Sequence, residues 1–230
     1  MKLVLCSEGF STPNTVKACV ELCGKPQHQI SIAIINEGYA VEEGDKYWVL
    51  DNLNDVAKNF KGGIDIVNIL ALPLNEVVSR IEKRDVIFVI GGNNDYLMHV
   101  FEETGFAKLL PKLLEKKVYV GSSAGSMIVG KRISDQAYGA IYGKYKTFGV
   151  KEYLNLVDFA IKPHLNSPSW PNNRAENLAA ICGNTNFAVY ALKDDTAIVV
   201  DGNRRTYTGS MPVKIQGGNI IEKHSLEALS

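Results

Sequence analysis

The sequence predicts an α/β fold: a single doubly wound, mostly parallel sheet with antiparallel hairpins near the C-terminal end. Three observations carry this. Unbroken apolar runs, such as residues 86–90 and 118–120, recur without polar alternation, as strands buried on both faces require. Segments with apolar residues at helical spacing separate them, for example Leu74, Val77, Val78 and Ile81. From Phe187 on, short β-rich runs are broken by Asp194-Asp195, Asp201-Gly202-Asn203, Gly209 and Gly217-Gly218, the punctuation of hairpins. With 230 residues, 46% of them hydrophobic, the chain is long enough for one such domain over residues 1–230.

The elements follow in order. Residues 2–6 are a continuous apolar run and form the first strand. After the turn Ser7-Glu8-Gly9, Ser11 or Thr12 caps a helix that starts at Pro13 and stops at Gly24. Residues 29–35 give a second buried strand, and the polar residues 36–45 a loop. A helix over 47–60 ends at Gly62-Gly63, and residues 64–70 form the third strand. A helix over 73–83 and a strand over 85–90 follow. The turn Gly91-Gly92-Asn93-Asn94-Asp95 opens a helix carrying Tyr96, Leu97, Val100 and Phe101. Another helix, over 106–117, returns the chain to the strand at Val118. Helix continues over 126–130, residues 131–152 read as irregular, 156–161 as strand and 172–182 as helix. Short strands then fall at 187–192, 196–200, 205–207, 213–215 and 219–221.

Composition narrows the partners. Basic and acidic residues balance at 25 each, which argues against nucleic acid and fits a small-molecule or peptide substrate. No stretch approaches the length of a membrane span, and residues 1–6 are too short for a signal-peptide core. A cytoplasmic location and a monomer or homodimer are the expectation. Cys6, Cys19, Cys23 and Cys182 show no metal-ligand spacing and read as core thiols, so neither a metal nor another cofactor is expected.

The chemistry centres on Gly121-Ser122-Ser123-Ala124-Gly125, in which Ser123 occupies the middle of a Gly-x-Ser-x-Gly turn between strand and helix. Amides at the start of that helix favour an oxyanion beside the serine. A serine nucleophile needs a base and an acid to orient it. His28 and His99 read as structural or surface residues. One candidate set is Ser123, His164 and Asp194 or Asp195. The other, in α/β-hydrolase order, is Ser123, Asp195 or Asp201, and His224. The first is preferred, because too little parallel chain remains after Ser123 for a hydrolase sheet.

Four segments resemble the serine peptidases typified by dipeptidase E (α-aspartyl dipeptidase) and cyanophycinase. They are Val89-Ile90-Gly91-Gly92-Asn93-Asn94, Gly121-Ser122-Ser123-Ala124-Gly125-Ser126, Lys162-Pro163-His164-Leu165-Asn166 and the segment from Leu192 through Asp194-Asp195 to Val200. The match covers about residues 85–200. The resemblance implies a class I glutamine amidotransferase-like, flavodoxin-like sheet and hydrolysis of short peptides, including dipeptides with an N-terminal acidic residue. It implies Ser123 as nucleophile, His164 as general base, and the amides of Gly92 and Ala124 as oxyanion donors. The family's third member is usually glutamate; Asp194 stands at that place, with Asp135 as the alternative acid. Arg174 and Asn93 are the implied substrate-binding residues. A non-catalytic binding module on the same scaffold and an α/β-hydrolase-type esterase are the competing readings.

Overall fold

The computed structural model describes residues 1–221 and 226–228. Strand β1 (Lys2–Cys6) is buried on both faces: Leu3 and Leu5 point into one apolar core, Val4 and Cys6 into the other. Helix α1 (Pro13–Cys23) starts as its residue types dictate. The Thr12 side chain accepts the Thr15 N–H, Pro13 occupies the first turn, and Gly24 closes the helix at φ 67°. There follow β2 (Ile32–Ile35), α2 (Tyr47–Asn59), β3 (Ile64–Ile66), α3 (Leu74–Glu82), β4 (Val86–Val89), α4 (Asn94–Glu103), α5 (Phe106–Leu113), β5 (Val118–Ser122) and the short α6 (Ala124–Met127). The remainder comprises α7 (Asp135–Tyr142), β6 (Ala160–Lys162), α8 (Ala175–Ile181), β7 (Val189–Ala191), β8 (Ala197–Asp201), β9 (Arg204–Thr208), β10 (Val213–Gln216), β11 (Asn219–Ile221) and β12 (Glu227–Ala228).

The large sheet runs β12-β9-β8-β1-β5-β4-β2-β3. Strands β1, β5, β4, β2 and β3 are mutually parallel, and β8 lies antiparallel against β1. Helices α1 and α2 supply one face of the core, with Val16, Cys19, Leu22 and Val56; α3 to α8 cover the other. The mostly parallel, two-faced α/β architecture is therefore as the apolar runs predict.

The single sheet is a correction. Strands β11-β10-β7-β6 form a second, four-stranded sheet. The physical reason is that the antiparallel β8 occupies the free side of β1, pairing Lys2 with Asp201 through Cys6 with Ala197. Strand β6 therefore pairs with β7 instead. The chain leaves the second sheet at Leu192 and enters the first at Ala197, so Asp194 and Asp195 sit on the bend between sheets.

Other differences are local. Strand β3 ends at Ile66, because Asn68 Oδ1 then accepts the N–H groups of Leu70 and Ala71 and turns the chain. Of the strand expected over 156–161, residues 156–159 are not strand: Leu154 and Leu156 donate to the carbonyls of Ile128 and Val129 behind α6. The segment 131–152 holds a helix, α7, capped by Ser134 and anchored by the buried Ala137, Tyr138 and Ile141.

Candidate active site

Three chain segments meet at the C-terminal ends of β1 and β5, where a parallel sheet opens its crevice. The first is the turn after β5. Ser123 has φ 50° and ψ −113°, a conformation L side chains rarely adopt. Both flanking glycines are sterically required. A Cβ on Gly121 would stand 2.6 Å from the Gly125 carbonyl carbon, and one on Gly125 would stand 2.1 Å from the Val89 oxygen. The Ser123 N–H donates to the carbonyls of Ser7 (3.0 Å) and Cys6 (3.2 Å), and Ser126 Oγ donates to Cys6 O (2.7 Å). The strained residue is thus held by hydrogen bonds to the end of β1.

The second segment follows β6. His164 also lies at positive φ, 63°. Its loop is pinned on both sides: Leu165 N–H donates to Leu192 O (2.8 Å), and the buried Asn173 side chain donates to Pro163 O (2.6 Å). His164 Nε2 lies 2.9 Å from Ser123 Oγ, and Nδ1 lies 2.7 Å from Asp194 Oδ1. The third segment is the bend that carries Asp194.

Proton positions follow from charge. Burial pulls the Asp194 carboxyl up, but the hydrogen bond and charge of His164 and a hydrogen bond from Ser7 outweigh it, and its pKa lies below the ordinary value. An ionised carboxylate only accepts. His164 Nδ1 therefore carries the proton and donates to Asp194, and Nε2 is left to accept from the Ser123 hydroxyl.

The geometry separates the candidate acids. Asp195 turns the other way, accepting from Ser210 N–H (3.1 Å), Ser210 Oγ (2.8 Å) and Thr196 Oγ1 (3.2 Å). Asp135 is exposed on α7 and pairs with Arg132, which also holds the fully buried Asp95. Asp201 ends β8, and its main chain pairs with Lys2 and Arg204. His224, the base of the alternative set, lies outside the described residues. His28 lies 3.5 Å from the Gln29 side chain on the surface, and the His99 ring sits near Tyr96 and Phe148.

Gly91 and Gly92 form the opposite wall. A Cβ on Gly91 would come 2.9 Å from Ser123 Cβ, and one on Gly92, at φ 121°, would come 2.2 Å from Gly38 O. Among the described residues, the N–H groups of Gly92 and Ala124 meet no acceptor, whereas the neighbouring Asn93 N–H donates to Gly38 O. Asn93, the second residue expected to bind substrate, is engaged within the protein. It is buried; its Oδ1 caps α4 by accepting Tyr96 N–H (2.8 Å), and its Nδ2 donates to Lys146 O (3.2 Å). The amide is committed to the protein itself. Arg174 Nη1 donates to the carbonyls of Ser167, Trp170 and Asn173, clamping the loop behind His164.

Two residues escaped the sequence reading. Ser7 is fully buried and bonds to Asp194 Oδ1 (3.0 Å) and to the His164 N–H (2.8 Å). Its only signal was its place at the carboxyl end of a central strand. Glu8 is an exposed residue whose carboxylate faces the same pair. Partial shielding first, then the Asp194 charge, push its pKa up. Glu8, His164 and Asp194 each place a ligand atom within 4.8 Å of the others. Both His164 nitrogens are already engaged by Ser123 and Asp194, so the set reads as a hydrogen-bonded relay with a carboxylate beside it.

Known proteins similar to this chain are described as peptidases. An uncharacterized peptidase of Pasteurella multocida is 27% identical over 192 residues, 83% of this chain and 90% of its own. A peptidase E of Streptomyces coelicolor is 26% identical over 144 residues, 60% of this chain and 58% of its own. A crystal structure from Listeria monocytogenes, provisionally described as a peptidase E, superposes with a TM-score of 0.72 at 25% identity, covering 90% of this chain and 96% of that one. The family profile of peptidase family S51 matches residues 16–208, and the chain belongs to that family of peptidases.

Proposed function

We propose that the protein is a serine-type peptidase of short peptides, with Ser123 as nucleophile, His164 as general base and Asp194 as the orienting acid. The observation that carries this is the continuous relay from Ser123 Oγ through His164 to Asp194, with bonds of 2.9 and 2.7 Å. Ser123 Oγ attacks the scissile carbonyl carbon as its proton passes to His164 Nε2. The N–H groups of Gly92 and Ala124, for which no acceptor is found among the described residues, are the donors assigned to the developing oxyanion. As the C–N bond breaks, His164 returns the proton to the leaving amine. Water, deprotonated by the same nitrogen, then adds to the ester, and the serine leaves with that proton. The Asp194 carboxylate holds the imidazole tautomer and offsets its charge.

The substrate reading is dipeptides with an N-terminal acidic residue, on the strength of the peptidase E relative and Arg174. Three carbonyls hold Arg174 Nη1, which pre-organises the guanidinium, and its other edge is the part assigned to a substrate carboxylate.

Two experiments test the reading. Wild type should be labelled at Ser123 by a fluorophosphonate probe, and Ser123→Ala should abolish both labelling and hydrolysis. Retained hydrolysis by Ser123→Ala excludes the nucleophile. A panel of Asp-X and Ala-X dipeptides should show preference for Asp-X that Arg174→Gln removes. Equal rates on both series exclude the acidic preference and leave the nucleophile assignment intact.

A further inference from the structure

We infer that Ser7 is a positioning residue for the relay, and that its hydroxyl fixes the Asp194 carboxylate in the rotamer His164 needs. The inference rests on the serine peptidase reading above. Ser7 touches all three members: Asp194 and His164 through its hydroxyl, Ser123 through its carbonyl. Its hydroxyl donates to Asp194 Oδ1 (3.0 Å), the same oxygen that receives His164 Nδ1–H (2.7 Å). The same hydroxyl accepts the backbone N–H of His164 (2.8 Å), and the Ser7 carbonyl accepts the backbone N–H of Ser123 (3.0 Å). The Ser7 N–H donates to Thr196 O (3.0 Å), tying it to the strand that follows Asp194.

The roles of these atoms are determined. The His164 N–H can only donate, so the Ser7 oxygen accepts it and its own proton points at Asp194. Ser7 is completely buried, and no water reaches it to substitute for either bond. Asp194 carries the shortest carboxylate side chain. With both Ser7 Oγ and His164 Nδ1 on Oδ1, the second donor narrows the carboxylate to the productive orientation. The backbone at Ser123 and His164 is strained, with φ of 50° and 63°. Ser7 bonds the N–H of each, so one residue at the end of β1 holds both strained positions in register.

The hydroxyl also acts electrostatically. Its proton stabilises the anionic carboxylate, and losing it makes the His164–Asp194 pair a stronger base for its first proton. The acid limb of the kcat/KM profile should therefore move to higher pH, by on the order of half a pH unit.

The test is a set of variants: Ser7→Ala, Ser7→Cys, Asp194→Asn and Ser7→Ala/Asp194→Asn. Ser7→Ala should lower kcat about 10- to 100-fold with KM nearly unchanged, and should raise the acid limb. Ser7→Cys leaves no cavity and offers only a weak donor, and should show a kinetic loss too even if Ser7→Ala fails to fold. In the Asp194→Asn background the Ser7 substitution should cost little more, because both act through one carboxylate. Full kcat with an unmoved acid limb in the folded Ser7→Ala or Ser7→Cys variant overturns the inference. So does full additivity in the double variant, which would mean a purely structural role. These outcomes are separable from failure of the underlying reading, which shows instead as wild-type hydrolysis that survives Ser123→Ala.

Discussion

Replacing Lys162 by Met should stabilise the protein near neutral pH and leave a pH signature. Lys162 ends β6, two residues before His164, and is 1% exposed. Burial pushes its ammonium down from 10.5 to about 7, with only a small opposing influence from Cys182. A depression of that size corresponds to roughly 4–5 kcal/mol of penalty at low pH. Part is offset in the wild type: Nζ donates to the Tyr142 hydroxyl (2.5 Å) and lies 4.2 Å from that ring's centroid. Losing those contacts costs the variant about 1–2 kcal/mol. Methionine fills a similar volume. The expected net gain at pH 6 is about 2–4 kcal/mol. Above pH 7 the unfolded chain still holds the lysine proton while the folded chain releases it, up to the unfolded value of 10.5. Wild-type stability therefore rises with pH through that window, by up to about 1.4 kcal/mol per unit, and the variant's advantage shrinks to nothing or reverses. Urea unfolding of both proteins at a series of pH values from 6 to about 10 measures the difference, and titrations common to both cancel. A difference independent of pH would refute the depressed ammonium. A destabilised variant at pH 6 would mean the Tyr142 contacts exceed the cost of burial.

Further outcomes follow from the site. Ser123→Gly relieves the positive φ of 50° and should raise stability by about 1 kcal/mol while hydrolysis is lost, so a lower Tm would contradict the strain at this position. Glu8→Gln removes a negative charge facing the His164–Asp194 pair and should move the acid limb of kcat/KM to lower pH, opposite to the Ser7 variants; no movement would place Glu8 outside the pair's field. Asp135→Asn should keep activity within about two-fold, since Asp135 serves Arg132, whereas Asp194→Asn should lose on the order of 10³-fold or more. The reverse ranking in a kcat assay would reinstate Asp135 as the acid.

The local parts of this protein were determined by its sequence alone. Gly121 announces the serine turn because its steric demand is local: a Cβ there would meet the Gly125 backbone four residues on. Thr12, Pro13 and Gly24 delimit α1 because caps involve near neighbours. The runs in β1, β2, β4 and β5 are legible because burial on both faces leaves no polar position. What tertiary structure alone decided depends on contacts between distant segments. Asp194 and Asp195 are adjacent and chemically identical; the bend between sheets sends one to His164 and the other to Ser210. The second sheet pairs β6 with β7, while β8, late in the chain, lies against β1. Helix α7 has a glycine at its centre and no long apolar period, and is held by Ser134 and by Tyr138 packed against Tyr145. Ser7 is one serine among many in the sequence, and its contacts lie 157 and 187 residues away. Hydrogen bonds across that much chain leave no periodicity behind them, so only the folded backbone reveals them.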